Sequence, residues 1–443
     1  MTKTSSSRRN YFISMIILGG LFFIFGLVSW VNTILIPYFK FTCELTIVQS
    51  YLVTFAFFIA YLIMSIPASV LLNKIGYKRG MMIGLWIMSI GALLFVPAAY
   101  FRAYWLFLTG LFSLGIGMAI LQSAANPYVT IIGDKESAAS RLSIVGTFNK
   151  LAGILANLIF AAVVIGESDK KIMEAIKSGI FVGAARTEAL DQLIRSVMMP
   201  YAILAVVLFI FGFVIRYSVL PEIDTKTKNA DSKNPNDTRT SIFQYPHLIL
   251  GVIAIFFHVG SQMISLATII NYAGTMGMSL EGQAKNFPSF TMSFTFIGYL
   301  LGIFLIPKVI SQKNALIVST ILGFILSLLV IFTHMHVTVF GLDSDISIWF
   351  LVLMGLPNAL IYAGIWPLAI NGLGRFTNLG SSMLVMGLCG SAIIPLIYSG
   401  IAEQFTMRVA YWVLIPCFIY LIFYATVGHK IKSWRKPTSQ SIN

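Results

Sequence analysis

Acidic residues are scarce in this chain: Asp and Glu number 16 in 443 residues, against 30 Lys and Arg. All 16 fall in connections or at helix ends, with Glu44 and Glu403 nearest the apolar segments. The chain therefore lacks, at depth, the carboxylate that commonly loads and releases a proton inside a membrane pump. Cysteine is nearly absent, and Cys43, Cys389 and Cys417 make neither a disulfide framework nor a metal site. Charged residues of both signs are 10% of the chain, where a soluble domain carries about 25%, which excludes an ordinary soluble fold. No metal-ligand cluster and no nucleophile beside a base is visible, so neither an enzyme nor a metal or other cofactor is expected.

What is there is long and apolar, with 58% hydrophobic residues. Apart from Lys150 and the bounding Arg141 and Arg216, twelve segments run free of Asp, Glu, Lys and Arg, at 11–38, 48–72, 80–101, 103–128, 141–165, 196–216, 245–272, 286–307, 314–334, 346–370, 377–402 and 409–428, give or take a few boundary residues. Each is near or beyond the ~20 residues that a bilayer core requires of a helix. They lack the alternation of a barrel strand, and lipid tolerates no unpaired backbone, so all twelve read as helices of an all-α membrane protein. The first segment is too long for a leader and has no small-residue cleavage pattern, so no signal peptide is expected.

Lys and Arg set the orientation. With the N-terminus inside, the cytoplasmic side holds Lys74, Lys78, Arg79, Lys135, Arg141, Arg216, the linker, Lys308, Lys313, Arg375 and the tail, and the opposite side holds far fewer. Both termini are thus expected in the cytoplasm. The formal charge of +14 reads as this basic rim, facing lipid and cytosol, and no nucleic-acid partner is expected.

One long polar stretch, "PEIDTKTKNADSKNPNDTRTS" at 221–241, divides the spans six and six. The expected organisation is an N-terminal half at 1–219, a flexible linker at 220–244 and a C-terminal half at 245–443. This plan resembles the major facilitator superfamily, in which two six-helix halves rock about a central site. The turn "SVLLNKIGYKRG" at 69–80 resembles that superfamily's cytoplasmic motif in Leu71, Gly76 and Lys78, with Asn73 in place of the acidic residue and Ser69 in place of the first glycine. The loop at 166–195 has helical spacing and mixed charge, and one short surface helix is expected there.

Six runs carry a narrower resemblance: "VNTILIPYFK", "AFFIAYLIMSIPA", "LQSAANPYVTIIG", "RLSIVGTFNKLAG", "IINYAGTMG" and "IWPLAINGLGRFTNLGSSMLVMG". They resemble the fucose, galactose and glucose symporter family, and "WVNTILIPYFKFTCEL" and "LPNALIYAGIWPLAI" are similar to its bacterial glucose and N-acetylglucosamine branch. The resemblance implies uptake of a neutral monosaccharide by a multi-pass protein of the bacterial inner membrane. It implies a proton or sodium ion as co-substrate, and a monomer is expected.

A sugar site needs amides and hydroxyls that donate and accept, and an aromatic face for the ring. The spans offer Asn32, Thr33, Gln122, Asn126, Asn149, Gln262, Asn271 and Asn358, with Trp366 as a stacking platform. Each amide has a plainer reading as a link between neighbouring helices, worth about 0.6 to 2 kcal/mol. Asn126 precedes Pro127 and is suited to satisfying backbone freed by that proline. The family resemblance places Gln122 and Asn149 at the central cavity. Where relatives in the family carry carboxylates, this chain has neutral Thr33, Gln122 and Gln262.

The remaining coupling candidates are Lys150, His258 and Glu44, with His247 nearer a helix start. Lys150 lies nine residues beyond Arg141, about 13 Å along a helix, and can either snorkel back or face the cavity. Facing the cavity, it is either a fixed charge in place of a bound cation, which makes the protein a uniporter, or a desolvated amine that gives up and regains a proton. Efflux of hydrophobic or cationic drugs is a third function, and a lysine in a carboxylate-free cavity, which repels cations, argues against it. A membrane sensor is a fourth, for which the linker and tails offer no signalling domain.

Overall fold

The computed structural model describes residues 2–131, 138–164, 166–220, 240–279, 283–306 and 309–434. Eleven helices among them are long and apolar enough to cross a membrane. The fifth expected span adds Ala138–Val164, an unbroken helix of 27 residues whose described apolar stretch is Ile144–Ala156. Most of the linker, 221–239, lies outside the described residues.

Several spans bend where the sequence alone suggests straight rods. The first consists of Thr2–Trp30 and Asn32–Thr42, and Val31 between them keeps a helical backbone at φ −60° and ψ −25°. The seventh consists of Pro246–Ala267 and Ile269–Gly274. Its joint is Thr268, whose hydroxyl bonds back to the Ile264 carbonyl at 2.7 Å, a device that bends helices, and also meets the Tyr411 hydroxyl at 2.8 Å. The tenth turns at Met354, between Ile346–Leu353 and Gly355–Ile370.

Lipid supplies no hydrophobic drive between helices, so close contact depends on residues small enough to let backbones meet. A Cβ on Gly26 would stand 2.0 Å from the Asn149 carbonyl oxygen, which fixes the first span against the fifth. The same test on Gly298 meets the Leu356 carbonyl at 2.6 Å, and on Gly302 the Leu360 side chain at 2.4 Å, seating the eighth span on the tenth. Across the molecule the second span packs on the eleventh and the fifth on the eighth.

The basic turn at 69–80 takes the shape its glycine allows. Gly76 has φ +83°, a region costly for a side chain, and it lets Ile47–Ile75 stop and Tyr77–Leu93 start at once. Lys78 Nζ then donates to the Ser218 carbonyl at 2.8 Å, tying the turn to the end of the sixth span.

Two local features add to the expectations. The chain is mostly helical, and in one loop His336–Val339 and Leu342–Asp345 form an antiparallel hairpin between the ninth and tenth spans. Its two turn residues, Phe340 and Gly341, both have positive φ (52° and 75°), the geometry that closes a two-residue hairpin. The loop at 166–195 holds two surface helices, Glu167–Lys177 and Gly183–Arg195, because Gly179 and Gly183, both at positive φ, break what the spacing suggests as one.

Candidate functional site

Lys150 faces inward. Only 6% of it is exposed, and its ammonium lies over the Trp30 ring, 4.3 Å from the centroid, instead of reaching back toward Arg141. Trp30 Nε1 donates to Asn149 Oδ1 at 3.3 Å, and Asn149 Nδ2 donates to the Phe22 carbonyl at 3.2 Å. The first and fifth spans thus hold an ammonium, an indole and an amide in one arrangement, made possible by the backbone contact at Gly26. An ammonium at mid-membrane costs about 2.5 to 3.5 kcal/mol on insertion scales, and a desolvated cation–π contact returns about 2 kcal/mol. The local contacts nearly balance the burial, leaving a charge that a polar ligand can still improve.

The C-terminal half answers with aromatic rings and amides. Lys150 is an electrostatic neighbour of His258 on the seventh span. The His258 ring stands 6.4 Å from Tyr362 on the tenth, and Tyr362 stands 5.6 Å from Trp366, centroid to centroid. Asn358, one turn before Tyr362, is 1% exposed, and neither its amide nitrogen nor its amide oxygen has a hydrogen-bond partner among the described residues. His258 Nδ1 is unpartnered as well. A buried polar group without a partner costs about 1 to 3 kcal/mol, so these atoms are expensive to keep unless something else binds them.

Toward the linker, Gln122, Asn126 and Trp366 come together in a small pocket with Asn73, Ser381 and Ser382. Gln122 Nε2 donates to the Tyr61 hydroxyl at 3.0 Å, and Tyr61 in turn neighbours Tyr362 of the other half. Gln262 is buried one turn beyond His258. At the opposite end a cavity of about 620 Å³ opens between the first and seventh spans and the two surface helices, with Asn271 and Glu44 in its wall.

The comparisons with known proteins show the family to which this arrangement of helices belongs. The Major Facilitator Superfamily profile matches residues 18–388. The chain belongs to the major facilitator superfamily. This facilitator is 33% identical over 428 residues to the glucose/galactose transporter of Brucella abortus (strain 2308), covering 96% of each chain. It is 30% identical over 397 residues to the L-fucose-proton symporter of Escherichia coli, covering 88% of this chain and 87% of the other. It superposes on the crystal structure of the transporter FucP in the outward conformation with a TM-score of 0.71 at 29% identity, covering 94% of this chain and 98% of that one.

Three sequence candidates of this facilitator stand away from the centre. Glu44, named for coupling, is half exposed and paired with Arg186 at 2.7 Å and Arg102 at 3.5 Å, because its helix ends before it and its backbone turns to φ 54°. Asn271, named for sugar contact, donates to the Tyr51 hydroxyl at 3.4 Å across the halves. His247 Nε2 meets the Asn371 carbonyl at 2.9 Å, joining the start of the seventh span to the end of the tenth. The side chains of Asn32 and Thr33 lie outside the described residues. Sequence reasoning overlooked Trp30, Tyr61 and Tyr362. Trp30 and Tyr362 stand inside the runs "WVNTILIPYFKFTCEL" and "LPNALIYAGIWPLAI", and Tyr61 inside "AFFIAYLIMSIPA", so the signal was there and was spent on the neighbouring amides.

Proposed function

We propose that this chain imports a neutral monosaccharide of the glucose, galactose, fucose or N-acetylhexosamine type by alternating access, with a cation as co-substrate. The observation that carries the reading is Lys150 held on Trp30 beside Asn149, with His258 of the seventh span as its electrostatic neighbour and the His258 ring 6.4 Å from Tyr362. An indole and a tyrosine ring suit the C–H faces of a sugar, and Asn358 offers a donor and an acceptor that the protein leaves unused. The names of the relatives, a glucose/galactose transporter and a fucose-proton symporter, support the same substrate class.

In this reading the halves 1–219 and 245–443 rock about the centre while the linker at 220–244 and both termini stay in the cytoplasm. The 620 Å³ cavity then faces the outside of a bacterial inner membrane, and the Gln122 pocket faces the cell. With Glu44 held in a surface ion pair, proton exchange falls to Lys150 and His258. Sodium is the less favoured ion, since an ammonium at the centre repels it.

Lys150 also motivates the second reading, a uniporter. An ammonium held on Trp30, with the Glu44 carboxylate engaged by Arg186 and Arg102, can occupy permanently the place of a bound cation. Counterflow of labelled glucose, galactose and fucose in proteoliposomes tests transport. Accumulation driven by an imposed proton or sodium gradient excludes uniport, and equilibration indifferent to both excludes symport with those ions. Absence of counterflow for every hexose and N-acetylhexosamine tried overturns the substrate class.

A further inference from the structure

We propose that the 620 Å³ cavity is a staging subsite that takes the sugar before it reaches Lys150, with Asn271 as its specific donor. This rests on the reading of the chain as a sugar importer. The cavity's inner wall is the end of the seventh span, where Asn271, Thr275 and Ser279 present an amide and two hydroxyls, and its outer wall is the first span's Phe41 with surface-helix residues. An aromatic face opposite hydroxyls and an amide repeats, at the mouth, the chemistry of the centre.

The charged side chains in this wall each have a neighbour that engages them, which leaves the hydroxyls, the amide and the ring for a neutral ligand. Arg186 is engaged by Glu44 at 2.7 Å, the Lys177 ammonium lies 5.7 Å from the centroid of the Phe41 ring, and Lys40 faces the charge of Glu403. An anionic ligand would have to break into these pairings, whereas a polyhydroxy compound need only use the hydroxyls and the ring.

The subsite also has a floor. Asn271 Nδ2 reaches the Tyr51 hydroxyl at 3.4 Å, from the seventh span of one half to the second span of the other. Tyr51 is 1% exposed and backs onto Tyr398, 6.2 Å between centroids, and Tyr398 packs in turn on Tyr411 at 5.0 Å. Such bonds inside membranes are worth about 0.6 to 2 kcal/mol, and this one is long. A sugar hydroxyl in the cavity can replace Tyr51 as the partner of Asn271 at little cost. Exchange of that one hydrogen bond frees the halves to separate at the mouth, so sugar occupancy and opening of the floor are linked.

The test places a reporter thiol in the cavity by Thr275→Cys, an exposed position, with Cys43→Ser to remove the nearby background thiol. Lys150→Met is added to weaken central binding. A membrane-impermeant maleimide is applied with and without the hexose that gives counterflow in the unsubstituted protein. That hexose is expected to slow labelling about tenfold at ten times its half-protecting concentration. Asn271→Ala should abolish the protection, and Tyr51→Phe, which releases Asn271, should lower the half-protecting concentration. Counterflow in the parent without protection of the thiol, or protection that survives Asn271→Ala, overturns the staging subsite while leaving sugar transport standing. Failure of counterflow itself overturns the transport reading on which the subsite rests.

Discussion

Replacing Lys150 by Met separates two contributions that usually move together. Burial of the ammonium costs about 2.5 to 3.5 kcal/mol and its contact with Trp30 recovers about 2 kcal/mol. Met has nearly the same length, keeps dispersion contact with the indole and pays no desolvation. The fold should therefore be unchanged or more stable by about 0.5 to 1.5 kcal/mol, the difference between those figures. Sugar binding should move the other way, because a charge-assisted hydrogen bond is worth about 1.5 to 3 kcal/mol and its loss costs about tenfold to a hundredfold in affinity. Thermal unfolding of the purified protein in detergent, read by tryptophan fluorescence, measures the first, and the concentration dependence of counterflow measures the second. A variant that melts no lower and transports poorly agrees with a buried functional charge. One that melts several degrees lower yet binds and transports sugar normally would refute the reasoning and leave Lys150 a structural residue.

Tyr61→Phe removes the acceptor of the Gln122 amide and is expected to raise the half-saturating sugar concentration about 3- to 30-fold, from a bond worth about 0.6 to 2 kcal/mol, with little change in melting temperature. Gly26→Ala sets a methyl 2.0 Å from the Asn149 carbonyl and should destabilise the protein by about 1 to 3 kcal/mol while lowering sugar affinity, read by melting and counterflow on the same preparation. Arg186→Gln breaks an exposed pair and should shift stability by no more than about 1 kcal/mol. Asp345 is raised by its own burial, but the Ser347 hydroxyl and N–H, Arg408 and His334 outweigh that and hold the carboxyl below its usual value. A depressed carboxyl stabilises the fold above its unfolded value, near 4, and loses that contribution as pH falls below it. The melting-temperature advantage of the wild type over Asp345→Asn should therefore be present at neutral pH and shrink as pH falls through about 4.

The spans were legible because lipid imposes one requirement, an uninterrupted apolar helix, that composition alone records. The same requirement made Lys150 conspicuous, and no soluble protein would have singled it out. The joints at Val31, Thr268 and Met354 were not legible, since each residue keeps or nearly keeps helical backbone and the bend depends on what packs beside it. The hairpin escaped notice because its strands are four residues each, too short for alternation to stand out against a polar loop. Asn271 shows the limit for site residues. Its chemistry suits a sugar, but depth along a bent span decides whether it lies at the centre or at the mouth, and that depth appears only when the seventh span turns at Thr268.

The ammonium on the Trp30 ring also makes the protein an electrical device. A neutral sugar moving alone would carry no current, and its transport would be indifferent to membrane potential. In the uniport reading a fixed positive charge rides on the fifth span, which packs against the eighth. Whatever fraction of the field Nζ crosses between the outward and inward states is weighted by about 2.3 kcal/mol per 100 mV for a full crossing. The resting potential of the cell thus biases which way the empty carrier faces, and a transient capacitive current accompanies reorientation before any substrate has moved.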